Sequence, residues 1–166
     1  LTESWCQLGL ASVEILAGRW DLAAGHEQEL ALLAEQTALL RLPAIRTSAH
    51  LALLRGEAAK AGDLLGEVAA EAEEKGELLN LRWALQLEGL LALSLGNPAL
   101  AVEPLQRARA FAARRAVGEP GMLIFMLDEV EALAATGDPG SAAAVLRQFV
   151  HRSTGSEACW IAPLVD

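Results

Sequence analysis

The 166-residue sequence has no tyrosine, and aromatic residues make up only 4% of it. β-Branched residues are scarce as well, so the side chains that favour pleated sheet are largely missing. Cations are in short supply: 13 Lys and Arg stand against 22 Asp and Glu, and only Lys60 and Lys75 are lysines. A net charge of −9 repels a phosphate backbone, which argues against direct nucleic-acid binding. No apolar run is long enough to span a membrane. Cys6 and Cys159 lie near opposite ends. Their separation offers no metal spacing and no disulfide framework, as expected in a reducing cytosol, although a bridge between the ends stays open. The start at Leu1-Thr2-Glu3 has neither Met nor the layout of a secretory signal, so the chain reads as a cytoplasmic piece of something longer.

Catalytic and metal patterns are missing too. His26, His50 and His151 are isolated from one another, and His26-Glu27-Gln28-Glu29 has no second histidine at i+4; it reads as a solvated helix face. The neighbouring acids Glu73/Glu74 and Asp128/Glu129 point apart on a helix, so they read as surface charge rather than as an acid–base pair. No serine or cysteine has a recognisable base nearby in sequence. The expectation is a chain that is no enzyme and carries no cofactor and no metal.

Leucine and alanine dominate the 53% hydrophobic content, and both are strong helix formers. Four times a glycine is followed five residues later by an alanine: Gly18/Ala23, Gly56/Ala61, Gly96/Ala101 and Gly137/Ala142. The glycines are 38, 40 and 41 residues apart, an interval that marks stacked helical hairpins. Glycine just past a helix end releases the chain through the left-handed region. Asn97-Pro98 and Asp138-Pro139 then place an N-cap before a first-turn proline, and each alanine sits where two helices must approach closely. Gly76, Gly118 and Gly155 are expected to end the second helices, with a break at Leu42-Pro43 in the first repeat.

The predicted fold is all-α: a right-handed α-solenoid of four helical hairpins. Its helices are expected near 3–17, 21–40, 43–55, 57–75, 77–95, 97–117, 120–136 and 138–152. Residues 1–152 form the repeat domain, and 153–166 a tail that starts a further, truncated repeat. Leu81, Ala84, Leu85, Leu87, Leu90, Leu91, Leu93 and Leu95 surround the axis of the fifth helix, which predicts an interior position. The Leu- and Ala-rich ends of such a segment favour self-association, so a homo-oligomer is an expected state.

Counting back 13, 10 and 6 residues from each turn glycine gives the positions expected to face an inner, concave groove. They are Trp5, Leu8 and Ser12; Pro43, Arg46 and His50; Trp83, Gln86 and Leu90; and Ile124, Leu127 and Glu131. Arg46, His50, Trp83 and Gln86 combine donors with an aromatic plate suited to a polar ligand or peptide. With an ordinary pKa near 6.5, His50 would make binding vary between about pH 5.5 and 7.5. The alternative is that Trp83 packs as core and that Arg46 and His50 are wet surface.

The Gly-turn-Ala element of Gly18–Ala23 and Gly96–Ala101 resembles the centre of the tetratricopeptide hairpin, with a period of 38–41 in place of that family's 34. The family's closing proline and several of its aromatics are missing. The continuous segments Leu81–Ala101 and Gly118–Gly137 more specifically resemble another helical repeat region. It belongs to large ATP-binding LuxR-family (MalT-like) transcriptional regulators. The resemblance runs over most of residues 4–155 and rests on helix patterning rather than on a catalytic signature. It implies a non-catalytic sensor or protein-interaction module, receiving a small-molecule inducer or a protein partner. That state would be relayed to adjacent ATPase and helix-turn-helix domains of the parent chain. Neither a phosphate-binding loop nor a basic recognition helix occurs within this sequence. A free-standing peptide-binding adaptor or scaffold would look the same over these residues.

Overall fold

The computed structural model describes residues 2–114 and 120–153. Within them the chain is all-helical and no strand occurs. The helices are α1 (Thr2–Leu16), α2 (Trp20–Gln36), α3 (Arg41–Leu54), α4 (Ala58–Lys75), α5 (Leu78–Ser94), α6 (Pro98–Arg114), α7 (Phe125–Ala135) and α8 (Pro139–Ser153). Short 3₁₀ turns at Ala38–Leu40 and Pro120–Leu123 precede α3 and α7. Two compact units, Leu1–Leu87 and Glu88–Asp166, divide the chain, with the boundary inside α5.

Five helix ends share one hydrogen-bonding pattern, and the four repeat glycines are among them. At Gly96 (φ 72°) the glycine N–H donates to Leu93 O at 2.9 Å, and the next N–H, of Asn97, donates to Ala92 O at 2.9 Å. This paired closure is the Schellman arrangement, and it needs the left-handed backbone that glycine adopts freely. The same pair recurs at Gly18, Gly56, Gly76 and Gly137. Downstream, Ala23, Ala61 and Ala101 are fully buried and Ala142 nearly so, as the close approach of paired helices demands. α6 and α8 begin at Pro98 and Pro139, and Asp138 Oδ1 accepts the Ser141 N–H at 3.0 Å, capping α8. Gly118, Gly155 and the predicted tail from residue 154 onward lie outside the described residues.

The first unit's core alternates between neighbouring helices. Ile15, Ala23 and Leu51 form one cluster, with Ala24 and Leu54 against it. Leu30, Leu40 and Ala44 form another, flanked by Leu8, Leu33 and Ala34. α3 is buried on most of its circumference, from Leu42 and Pro43 to Leu53, whereas α4 buries only the face of Ala61, Leu65, Val68 and Ala72. The expected break at Leu42-Pro43 falls elsewhere. The chain turns at Thr37 (φ −149°, ψ 111°), and Pro43 sits in the first turn of α3, where its missing N–H is tolerated.

α5 fulfils its expected interior position only in part. Leu81, Ala84, Leu85 and Leu87 are buried, but Leu91 and Leu93 are half-buried and Leu95 is 56% exposed. In the second unit α5 and α6 make a close contact at Gly89, where a Cβ would stand 2.4 Å from Cγ of the fully buried Leu105. Gly89→Ala is therefore expected to destabilise by about 1–3 kcal/mol despite alanine's better helix propensity. Denaturant titration checks this; a stabilised variant would show that the two helices separate freely there.

Candidate functional site

The first-unit crevice is built from the inward faces of three helices. Ser12 and Ile15 of α1, Arg46, Thr47 and His50 of α3, and Trp83 and Leu87 of α5 line a cavity of about 50 Å³. Their spacing explains the convergence. Residues three and four apart lie on one helix face, so Arg46 and His50 form one row and Trp83 and Leu87 another. The Arg46 guanidinium lies 5.1 Å from the centre of the Trp83 ring, and the Arg82 guanidinium lies 4.6 Å from it. One indole thus contacts two cations, an arrangement that the ring quadrupole favours and the like charges oppose.

Burial and the neighbouring Arg82 charge lower the Arg46 pKa to about 10, which leaves the guanidinium protonated at neutral pH. Burial, with the Arg46 charge second, lowers His50 to about 4. The ring is therefore neutral through the interval in which an ordinary histidine would switch, and the expected binding transition between about pH 5.5 and 7.5 is displaced downward. A base whose folded pKa is depressed stabilises the fold above its unfolded value, and this contribution is lost as pH falls from about 6.5 toward 4. His50→Gln is expected to show a smaller loss of melting temperature across that window than the parent chain. The direct check is the His50 ring titration by NMR, where a midpoint near the ordinary histidine value would contradict the buried placement.

Three of the four residues singled out from the sequence, Arg46, His50 and Trp83, meet in this crevice; Gln86 is not among its lining residues. The Gln86 carbonyl oxygen is buried and has no hydrogen-bond partner among the described residues. Trp83 is half-buried, neither sealed core nor open surface. Pro43, counted to the same groove, is buried in helix packing, while Trp5 is 52% exposed. The hydroxyls of Ser12 and Thr47 donate to Leu8 O and Pro43 O, each at 2.9 Å, so their protons are committed to the backbone.

Two acid-bearing stretches differ from their expected surface role. His26 Nδ1 is 2.6 Å from Gln7 Oε1, Glu27 accepts a hydrogen bond from Ser48 and Glu29 accepts one from Gln7, so three of the four residues of that stretch join α2 to its neighbours. Among the described residues no cluster of His, Cys, Asp and Glu could hold a metal ion. In the second unit Glu129 is fully buried, and Arg109 Nε donates to both of its carboxylate oxygens at 2.8 and 3.0 Å. Arg109 Nη1 also reaches Gln148 Oε1 at 3.4 Å. Asp128 is half-buried, and burial followed by the Glu131 charge raises its pKa to about 6. The sequence signal available was weak: Glu129 recurs in phase with Phe125 and Ala132 on the core stripe of α7, a position that calls for a partner.

Cys6 is a free, exposed thiol, and Cys159 lies outside the described residues. No described helix is long and apolar enough to cross a membrane. Comparison with protein-family models, with curated proteins and with solved structures gives no match for this chain.

Proposed function

We propose that this chain is the sensor and interaction segment of a LuxR-type, ATP-dependent transcriptional regulator of the cytoplasm. In this reading it is a right-handed solenoid of four tetratricopeptide-like hairpins, non-catalytic, with the Arg46–His50–Trp83 crevice opening on the concave side. The observation that carries it is the recurrence of one hairpin closure, at Gly18, Gly56, Gly96 and Gly137, each followed by a buried alanine. Such an array offers an extended surface and no enclosed reaction centre. A ligand or partner acts by binding one arrangement of the parent protein more tightly than another, which shifts the population that its ATPase and DNA-binding domains experience.

The flanking reading frame tests this reading. A phosphate-loop ATPase encoded upstream and a helix-turn-helix downstream are expected. A parent gene with neither overturns it and leaves the free-standing adaptor as the reading to pursue. Where both domains are present, Arg46→Met in the parent regulator is expected to weaken the inducer response while leaving the ATPase fold intact.

A further inference from the structure

We propose that the crevice between α1, α3 and α5 binds a carboxylate group, gripped by the Arg46 guanidinium beside Trp83 and His50. This deepens the reading of the chain as a ligand-responsive module, since it names the chemistry of the group that the module's crevice takes.

The first argument is an imbalance of charge. Arg19, Arg41, Arg55, Arg107 and Arg109 each meet a carboxylate of this acid-rich chain. Arg46 pairs with none among the described residues; its neighbours are the Trp83 face and the like-charged Arg82. A sheltered guanidinium held against another cation has unused attraction for an anion, and a planar fork suits a carboxylate in a two-bond grip. The indole face, 5.1 Å from the guanidinium carbon, bounds the fork on one side.

The second argument is the wall. Ile15 and Leu87 give the crevice apolar sides, and an apolar wall strengthens an ion pair formed against it. Ser12 and Thr47 are neutral and donate their hydroxyl protons to backbone carbonyls, so neither brings a negative charge to offset Arg46.

The third is size. A cavity of about 50 Å³ is small and has room for a compact group only. A carboxylate fits as a head group, with the rest of its molecule outside. An anion there also opposes the effect of Arg46 on His50, so the ring becomes easier to protonate and can add a second donor.

The test follows the His50 ring and Trp83 indole resonances by NMR at neutral pH during titration of the intact chain with sodium acetate, against sodium chloride at equal ionic strength. Acetate is expected to give saturable shifts at both residues that chloride does not. Arg46→Met is expected to weaken the response roughly tenfold or more, and Arg46→Lys, which keeps the charge without the fork, to fall between. Circular dichroism establishes that each variant is folded; if the Met variant is not, the Lys variant carries the comparison.

A short peptide with a free C-terminal carboxylate and its amidated twin identify the source. Tighter binding than acetate by the free-acid peptide alone assigns the site to a chain terminus, and equal binding assigns it to small organic acids. Acetate shifts no larger than those of chloride, or a folded Arg46 variant indistinguishable from the parent chain, overturn the proposal. That failure leaves the regulatory reading standing, because the reading falls on the flanking frame and not on acetate.

Discussion

Arg109→Leu is expected to destabilise the second unit by about 3–5 kcal/mol, and Glu129→Leu by distinctly less. The asymmetry follows from exposure. The Glu129 carboxylate is fully buried while the Arg109 side chain is 31% exposed. Removing the arginine strands an ionised acid away from water, whereas removing the acid leaves a guanidinium that can swing outward and still hold Gln148. The double variant, with both groups apolar, is expected to recover much of what Arg109→Leu loses, as replacement of buried ion pairs often does. Urea denaturation of the four proteins measures the cycle. Equal losses in the two single variants would mean that Glu129 is not sealed from solvent.

The second large effect is expected at Leu85. Its side chain is 1% exposed, and truncation to alanine removes several buried methyl groups and leaves a cavity, costing about 2–5 kcal/mol. Leu91, on the same helix and within the same predicted interior set, is half-buried, so Leu91→Ala should cost clearly less. Unfolding curves with unchanged denaturant slopes and a lower midpoint for Leu85→Ala than for Leu91→Ala are the expected result. A loss below about half a kilocalorie at Leu85 would mean that the front half of α5 is not packed.

What was legible in the sequence was what neighbouring residues decide. A glycine that must turn left-handed, a proline well suited to a first helical turn and an aspartate that caps it act within one turn of the chain. The ends at Gly18, Gly56, Gly76, Gly96 and Gly137 therefore stand where expected. The turn at Thr37 carries no such residue, and the nearby proline suggested a break at a place where it is harmless in a first turn. Arg46, His50 and Trp83 could be grouped because a common phase relative to the turn glycines places first helices alongside one another. That counting could not separate Gln86 from the group, since a small rotation of α5 decides which of its side chains reaches the crevice. Glu129 was misread as surface because its partner lies 20 residues away on another helix, and the register of α6 on α7 is not written in either segment.

The repeated hairpin closure also bears on how the chain acquires its structure. The helix pairs α1–α2, α2–α3, α3–α4, α6–α7 and α7–α8 are each consecutive in sequence, and each glycine end is fastened by bonds spanning at most five residues. Little loop-closure entropy has to be met before a first pair of helices can dock. A nascent chain emerging N-terminus first could therefore settle one hairpin while the next is still being synthesised, keeping its leucine-rich faces covered in order of their appearance.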